Sequence, residues 1–266
     1  MTWMDALGRP VEINAPPKRI VSLVPSITET LFAFGLGKHI AGVTKFCVEP
    51  AEGVAAVTKV GGTKNVDVAA VKGIKPDLVI ANAEENEKAD IDGLEVAGLP
   101  VFVTFPRSVA HATAMMRTLA EMTDTAASAA PIIAGIEAEA ALSRAADRER
   151  NPLRVFCPIW RTPWMTIGPD TYMHDFLAVC GLENVYGESQ ERYPKVELAD
   201  AAARKPEIVV LPDEPFRFSR RHVPEVAAAI PHIDESRIYL VDGKDVCWYG
   251  PRIAGALRRI RETVWG

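Results

Sequence analysis

The 266 residues suffice for one large α/β domain or two smaller lobes, and with 48% apolar and 24% charged residues the chain has the material for packed cores. A net charge of −5 and no Lys/Arg-rich helix leave no footprint for nucleic acid or an anionic membrane surface, and no apolar run reaches the roughly 18 residues of a membrane span. The four cysteines (Cys47, Cys157, Cys180, Cys247) form no CxxC pair and read as small buried hydrophobes, with one disulfide open if the protein is exported.

The start, "MTWMDALGRP", has neither the positive n-region nor the apolar h-region of a signal peptide. That leaves a cytoplasmic protein, or one whose export signal has been removed. Residues 10–18 read as an extended, proline-rich lead-in. "RIVSLVP" (19–25) suits a buried parallel strand. "SITETLFAFGLG" follows as a helix, with Ser26 or Thr28 as its cap and Gly35 or Gly37 as its stop. Strands are expected at 39–44, 76–82 and 99–105, with helices at 66–75, 90–98 and 108–124. This alternation predicts a parallel sheet with right-handed crossovers.

The middle differs. "TAASAAPIIAGIEAEAALSRAADRER" (125–150) is Ala-rich and has no strand signal. Pro131 fits a first helical turn, and a helix from there to Arg150 would span ~30 Å at ~1.5 Å per residue, a stiff strut rather than a flexible linker. Beyond it, strands are expected at 153–160, 206–212 and 237–243, and helices at 173–181, 198–205 and 251–265. The expected organisation is thus an α/β protein of two similar lobes with parallel sheets, 1–124 and 151–266, joined by one long helix at 125–150.

A repeat supports this division. "VDVAAVKGIKPDLVIANAEEN" and "VELADAAARKPEIVVLPDEPF" match as helix, turn, strand and acidic loop at an offset of 130, and "RIVSLVP" matches "RVFCPIW" at 135. The competing explanation is that helix-KPD/E-strand is a common αβ connection.

No P-loop, dinucleotide fingerprint or GxSxG elbow is present. The five histidines show no HxxxH or HExxH pairing, so neither a preformed metal site nor a catalytic constellation is expected. What stands out is aromatic loops after predicted strands: Pro25-Ser26, Phe46, Gly61-Gly62, Trp160-Arg161, Trp164 and Trp248 through Arg252. Ligands in open parallel sheets bind beyond the carboxyl ends of the strands. Three loop tryptophans suggest a large flat apolar ligand or partner, and Arg161 and Arg252 beside them suit a carboxylate or a π face. Glu84, Glu85 and Glu87 follow the first repeated strand, and Asp213 and Glu214 the second. These clusters either cap the next helix or form a symmetric pair that docks on a two-fold partner carrying arginines.

"RIVSLVPSITETLFAFGLG", "VGGTKNVDVAAVKGIKPDLVIA", the Ala-rich helix, "FLAVCGLENVYG", "KPEIVVLPDEPF" and "WYGPR" together resemble the helical-backbone (class III) periplasmic substrate-binding proteins of ABC importers. The likeness is to their vitamin B12 and siderophore group, cobalamin binders above all, and covers nearly the whole chain. It implies a monomer without intrinsic cofactor or catalysis, which captures a corrinoid or other metal chelate between its lobes and delivers it to an ABC permease dimer. By position, Pro25, Ser26, Phe46, Gly61, Gly62, Trp160, Arg161, Trp164, Trp248 and Arg252 line the ligand. One of Glu84, Glu85 or Glu87 and Glu214 meet the permease, and the metal arrives inside its chelate. Haem or a ferric siderophore would also suit a wide aromatic cleft. The competing readings are a cytoplasmic ligand sensor and a metal-tetrapyrrole enzyme using His174, Asp175 or Glu214 as a base.

Overall fold

The computed structural model describes residues 1–13, 16–146 and 150–266. The chain forms two compact units, one of Met1–Pro106, His111–Ala134 and Tyr249–Pro251, the other of Arg107–Ala110, Gly135–Trp248 and Arg252–Gly266.

In the first unit an antiparallel hairpin, β1 (Thr2–Met4) with β2 (Pro10–Glu12), precedes the sheet. The sheet is parallel throughout, in the order β5-β4-β3-β6-β7, from β3 (Ile20–Ser22), β4 (Ile40–Val43), β5 (Thr58–Lys59), β6 (Leu78–Asn82) and β7 (Val101–Thr104). Helices α1 (Pro25–Ala33), α2 (Ala51–Val54), α3 (Val68–Ile74), α4 (Lys88–Val96) and α5 (Val109–Met122) connect and follow the strands. Strands buried on both faces need continuous apolar runs, and all five residues of β6 are buried. Val21, Val79, Val101 and Val103 of the sheet share a core with Val71 of α3 and Leu94 of α4. Helix α1 starts earlier than its polar residues suggest. Pro25 is in its first turn and Val24 is its cap without a side-chain bond, because proline's fixed φ suits a first turn. Gly35 ends the helix with φ +85, a left-handed conformation that glycine adopts without a Cβ clash.

Helix α6 (Ala126–Ala146) begins in the first unit and ends in the second. Its first turn forms on the Thr125 carbonyl, which accepts from the Ser128 and Ala129 amides. Pro131 therefore lies inside the helix and not in its first turn. The expected run to Arg150 passes through 147–149, outside the described residues.

The second unit has the parallel sheet β11-β8-β12-β13, from β8 (Leu153–Phe156), β11 (Leu182–Asn184), β12 (Ile208–Pro212) and β13 (Ile238–Val241). Its helices are α7 (Tyr172–Val179), α8 (Leu198–Ala203), α9 (Val223–Ala229), α10 (Gly243–Cys247) and α11 (Ile253–Trp265). The single strand expected at 153–160 is two. After Cys157 the chain leaves the sheet, and β9 (Pro158–Trp160) pairs antiparallel with β10 (Met165–Thr166). Pro158 has no N–H to continue the parallel ladder.

The repeated phrase has a repeated physical content. Lys75 and Lys205 both adopt left-handed φ (53° and 51°) just before a proline, which disfavours the right-handed helical region. The acid two residues on then accepts a backbone N–H at the start of the neighbouring strand: Asp77 from Arg19, and Glu207 from Arg154. Each arginine side chain reaches carbonyls at the end of the preceding helix, Arg19 that of Ile74, Arg154 those of Arg204 and Lys205. One αβ corner is built twice.

Candidate functional site

In the second unit the residues expected to bind ligand separate into two groups. The first is built on the β9–β10 hairpin and the segment after β12. Trp160, 42% exposed, meets Phe216 edge-on at 5.8 Å. Phe216 lies 4.7 Å from Phe218, and Phe218 stacks on Trp164 at 5.8 Å with planes 13° apart. His222 closes the cluster with its ring edge-on to both phenylalanines. The two phenylalanines fall together because the Phe218 amide donates to the Phe216 carbonyl, a three-residue turn with exposed Arg217 at its apex. Trp164, Phe216 and Phe218 pack against the sheet core, so Trp160 is the open end of a ring stack anchored from behind. Arg161, next to it, donates Nε and Nη2 to the Glu225 carboxylate of α9.

The second group surrounds Trp248, only 7% exposed. Its indole lies under Arg252 at 5.0 Å and Lys244 at 5.3 Å, and its Nε1 donates to Glu214 Oε2 at 3.1 Å. The indole is thus held by protein groups and offers little surface to a ligand. Burial raises the Glu214 carboxyl above its ordinary value, while the Trp248 hydrogen bond and Lys244 pull it down. Asp213 beside it accepts from the Gly243 amide. Asp245 of α10 is buried and takes a two-pronged pair from Arg259, which fixes the loop's base.

In the first unit, Pro25 and Ser26 are buried at the start of α1. Gly250 packs so closely there that a Cβ would meet Thr30 Oγ1 at 2.5 Å. Phe46 is half exposed, with Lys45 over its ring at 5.2 Å. Gly61 has φ +95, and a Cβ would meet the Asn65 carbonyl; one at Gly62 would meet the Asn65 side chain and the Phe46 ring. Phe46 therefore lies against Gly62, while Pro25 and Ser26 are buried at the start of α1.

The acidic loop of this unit is tightly made. Asn82 Oδ1 accepts the Glu84 and Glu85 amides, and Asn86 spans from Asn82 to the Leu23 and Thr63 carbonyls. The buried Tyr249 hydroxyl donates to Glu85 at 2.9 Å; burial, with Glu85 adding, pushes the phenol well above its usual range, so it remains a donor. Glu87 is exposed, caps α4 by position without a side-chain bond, and faces Lys64 at 3.4 Å.

Sequence reading missed Phe216, Phe218, Arg221, His222 and Glu225. The signal was present in "PFRFSRRH", where aromatic and basic residues interleave directly after the acidic pair. Among the described residues no group of three or more His, Cys, Asp and Glu is placed to hold a metal ion, and no helix is long and apolar enough to cross a membrane. All four cysteines are thiols; burial pushes Cys157 up to about 12.

The periplasmic binding protein family matches residues 20–222, more than half of the chain, and the chain belongs to that family. It is 25% identical over 194 residues to the vitamin B12-binding protein of Yersinia pestis (strain Pestoides F), covering 73% of this chain and 69% of that one. To the vitamin B12-binding protein of Pectobacterium carotovorum (strain PC1) it is 22% identical, covering 98% and 93%. The fold is shared with the periplasmic vitamin B12 binding protein BtuF of Vibrio cholerae, at TM-score 0.80, 18% identity and coverage of 93% and 96%. It is equally that of the periplasmic heme-binding protein RhuT from Roseiflexus sp. RS-1, at 0.79, 22%, 92% and 97%.

Proposed function

We propose that this chain is a non-catalytic solute-binding protein that captures a corrinoid or similar flat metal chelate and delivers it to an ABC permease dimer. The observation that carries this reading is the open ring stack of Trp160 and Phe216, backed by Phe218 and Trp164. A rigid aromatic wall with one exposed end suits a broad, partly apolar macrocycle. The curated relatives named for vitamin B12 favour a corrinoid; the fold's occurrence in a heme-binding protein keeps haem and ferric siderophores as the second reading. In the first unit, half-exposed Phe46 beside Gly62 is a separate apolar surface. Arg161, fixed by Glu225, and Arg252, over Trp248, take part as held charges at the margin.

For delivery, the offset of 130 that relates Leu78–Asn82 to Ile208–Pro212 also relates Glu84 to Glu214. Glu84 and Glu214, which follow the two repeated strands at that shared offset, are the pair assigned to the permease. The protein acts as a monomer in the periplasm or at the cell envelope, which fractionation of the native host tests.

Tryptophan quenching with cyanocobalamin, haemin and a ferric siderophore tests the ligand claim. Saturable quenching by one of them, weakened tenfold or more by Trp160→Ala, is expected; each tenfold is about 1.4 kcal/mol. Silence across all three removes it.

A further inference from the structure

The segment Phe216–His222 places three arginines in seven residues of a chain whose net charge is −5. Arg217, Arg220 and Arg221 are all exposed, and among the described residues none of the three forms an ion pair with a carboxylate. On α11, by contrast, Arg258 and Arg259 are paired with Glu139 and Asp245. Arg161 is spent on Glu225. Arg221 is different again, because its Nε lies 3.2 Å from His222 Nε2, on the ring that closes the aromatic cluster.

That contact is chemically unfinished. The Ser219 amide donates to His222 Nδ1 at 2.9 Å. A neutral imidazole carries one proton, so with Nδ1 accepting a backbone N–H the proton belongs on Nε2. The Arg221 Nε–H, 3.2 Å away, then meets an N–H where it needs a lone pair, so neither donor satisfies the other. Burial, and after it the charges of Arg221 and Arg161, hold the imidazole below its ordinary pKa. Two adjacent donors, one of them charged, are both satisfied by a single anionic oxygen placed beside them.

We infer that Arg221 and the Nε2–H edge of His222 form an anion-receiving corner beside the Trp160–Phe216 surface, so that the site selects flat chelates bearing a carboxylate or phosphate group over their neutral counterparts. This rests on the ring stack being the ligand surface. It goes beyond that reading by fixing the chemistry of the ligand's edge and by assigning Arg221, rather than the Glu225-bound Arg161, as the group that meets it.

The test is a set of quenching titrations in two arms. The carboxylate arm compares haemin with its dimethyl ester; the phosphate arm compares cyanocobalamin, which carries a phosphodiester, with dicyanocobinamide, which lacks it. In at least one arm the anionic member should bind tenfold or more tightly. Arg221→Gln should abolish that preference, Arg221→Lys should keep most of it, and Arg217→Gln, at the turn apex, should leave it intact; circular dichroism checks that each variant folds. If both arms show binding with no preference, or if Arg217→Gln erodes the preference as much as Arg221→Gln, the inference is overturned while the ring stack stands as the ligand surface. If no chelate in either arm binds, the ligand surface and the corner fall together.

Discussion

Trp160, at the end of β9, and Trp248, just after α10, share a residue type, and their surroundings give them opposite duties. Trp160 is open and leans on Phe216; Trp248 is enclosed by Lys244, Arg252 and the Glu214 carboxylate. Truncating the enclosed indole leaves a cavity and removes the Nε1–H donor from the half-buried Glu214 carboxylate, so Trp248→Ala should cost about 3 kcal/mol or more in urea denaturation. Trp160→Ala should cost under about 1 kcal/mol, and its loss should be read in binding instead. Sequence reading put both in loops after strands, whereas Trp160 ends β9 and Trp248 follows α10, and it could not tell open from enclosed, because that depends on Lys244 and Glu214 arriving from separate segments.

Glu214 supplies a pH test at the same scale. Its folded carboxyl is raised above the ordinary value of 4.5, mainly by burial. Within the window just above 4.5 the folded chain therefore holds more proton than the unfolded one, and stability falls as pH rises through it. Glu214→Gln retains an acceptor for Trp248 Nε1. It should melt higher than the parent at pH 7, and the two should converge near pH 4; a lower melting temperature at pH 7 contradicts this.

At the scale of elements, the strands with strong apolar runs and the helices between them were legible because burial on both faces leaves a mark that local propensity cannot blur. The repeat at offset 130 was legible for a sharper reason, since Lys75 and Lys205 mark the same left-handed turn before proline. What sequence blurred was the place where an element ends. The apolar run 153–160 hid the departure of the chain from the sheet at Cys157, and the β9–β10 hairpin with it, although Pro158 marked the spot. Pro131 pointed to a helix start, yet the Ala-rich stretch before it propagates a turn from Thr125. Pro131→Ala should therefore stabilise the protein by about 2 kcal/mol, a helix penalty of about 3 offset by roughly 1 from the freer unfolded chain. A thermal melt that falls on this substitution would show that the ring packs favourably enough to outweigh the lost hydrogen bond.

For the whole molecule, two α/β units, each with a parallel sheet and a rebuilt αβ corner, share α6 and belong to a family of binding proteins. Aromatic residues near strand ends drew attention to Trp160 and Trp164, which the structure joins to Phe216 and Phe218 in one cluster. The arginine that meets the ligand's edge escaped sequence reading because the donor conflict at His222 exists only once Ser219 caps that ring. The central claim is capture of a bulky flat chelate without turnover. It is tested most directly by native mass spectrometry after incubation with cobalamins, haem and ferric siderophores together. The account predicts one chelate retained intact at one per chain, with its mass unchanged after prolonged incubation. A chain that emerges bare from the full panel, or that releases a chemically altered chelate, would contradict it.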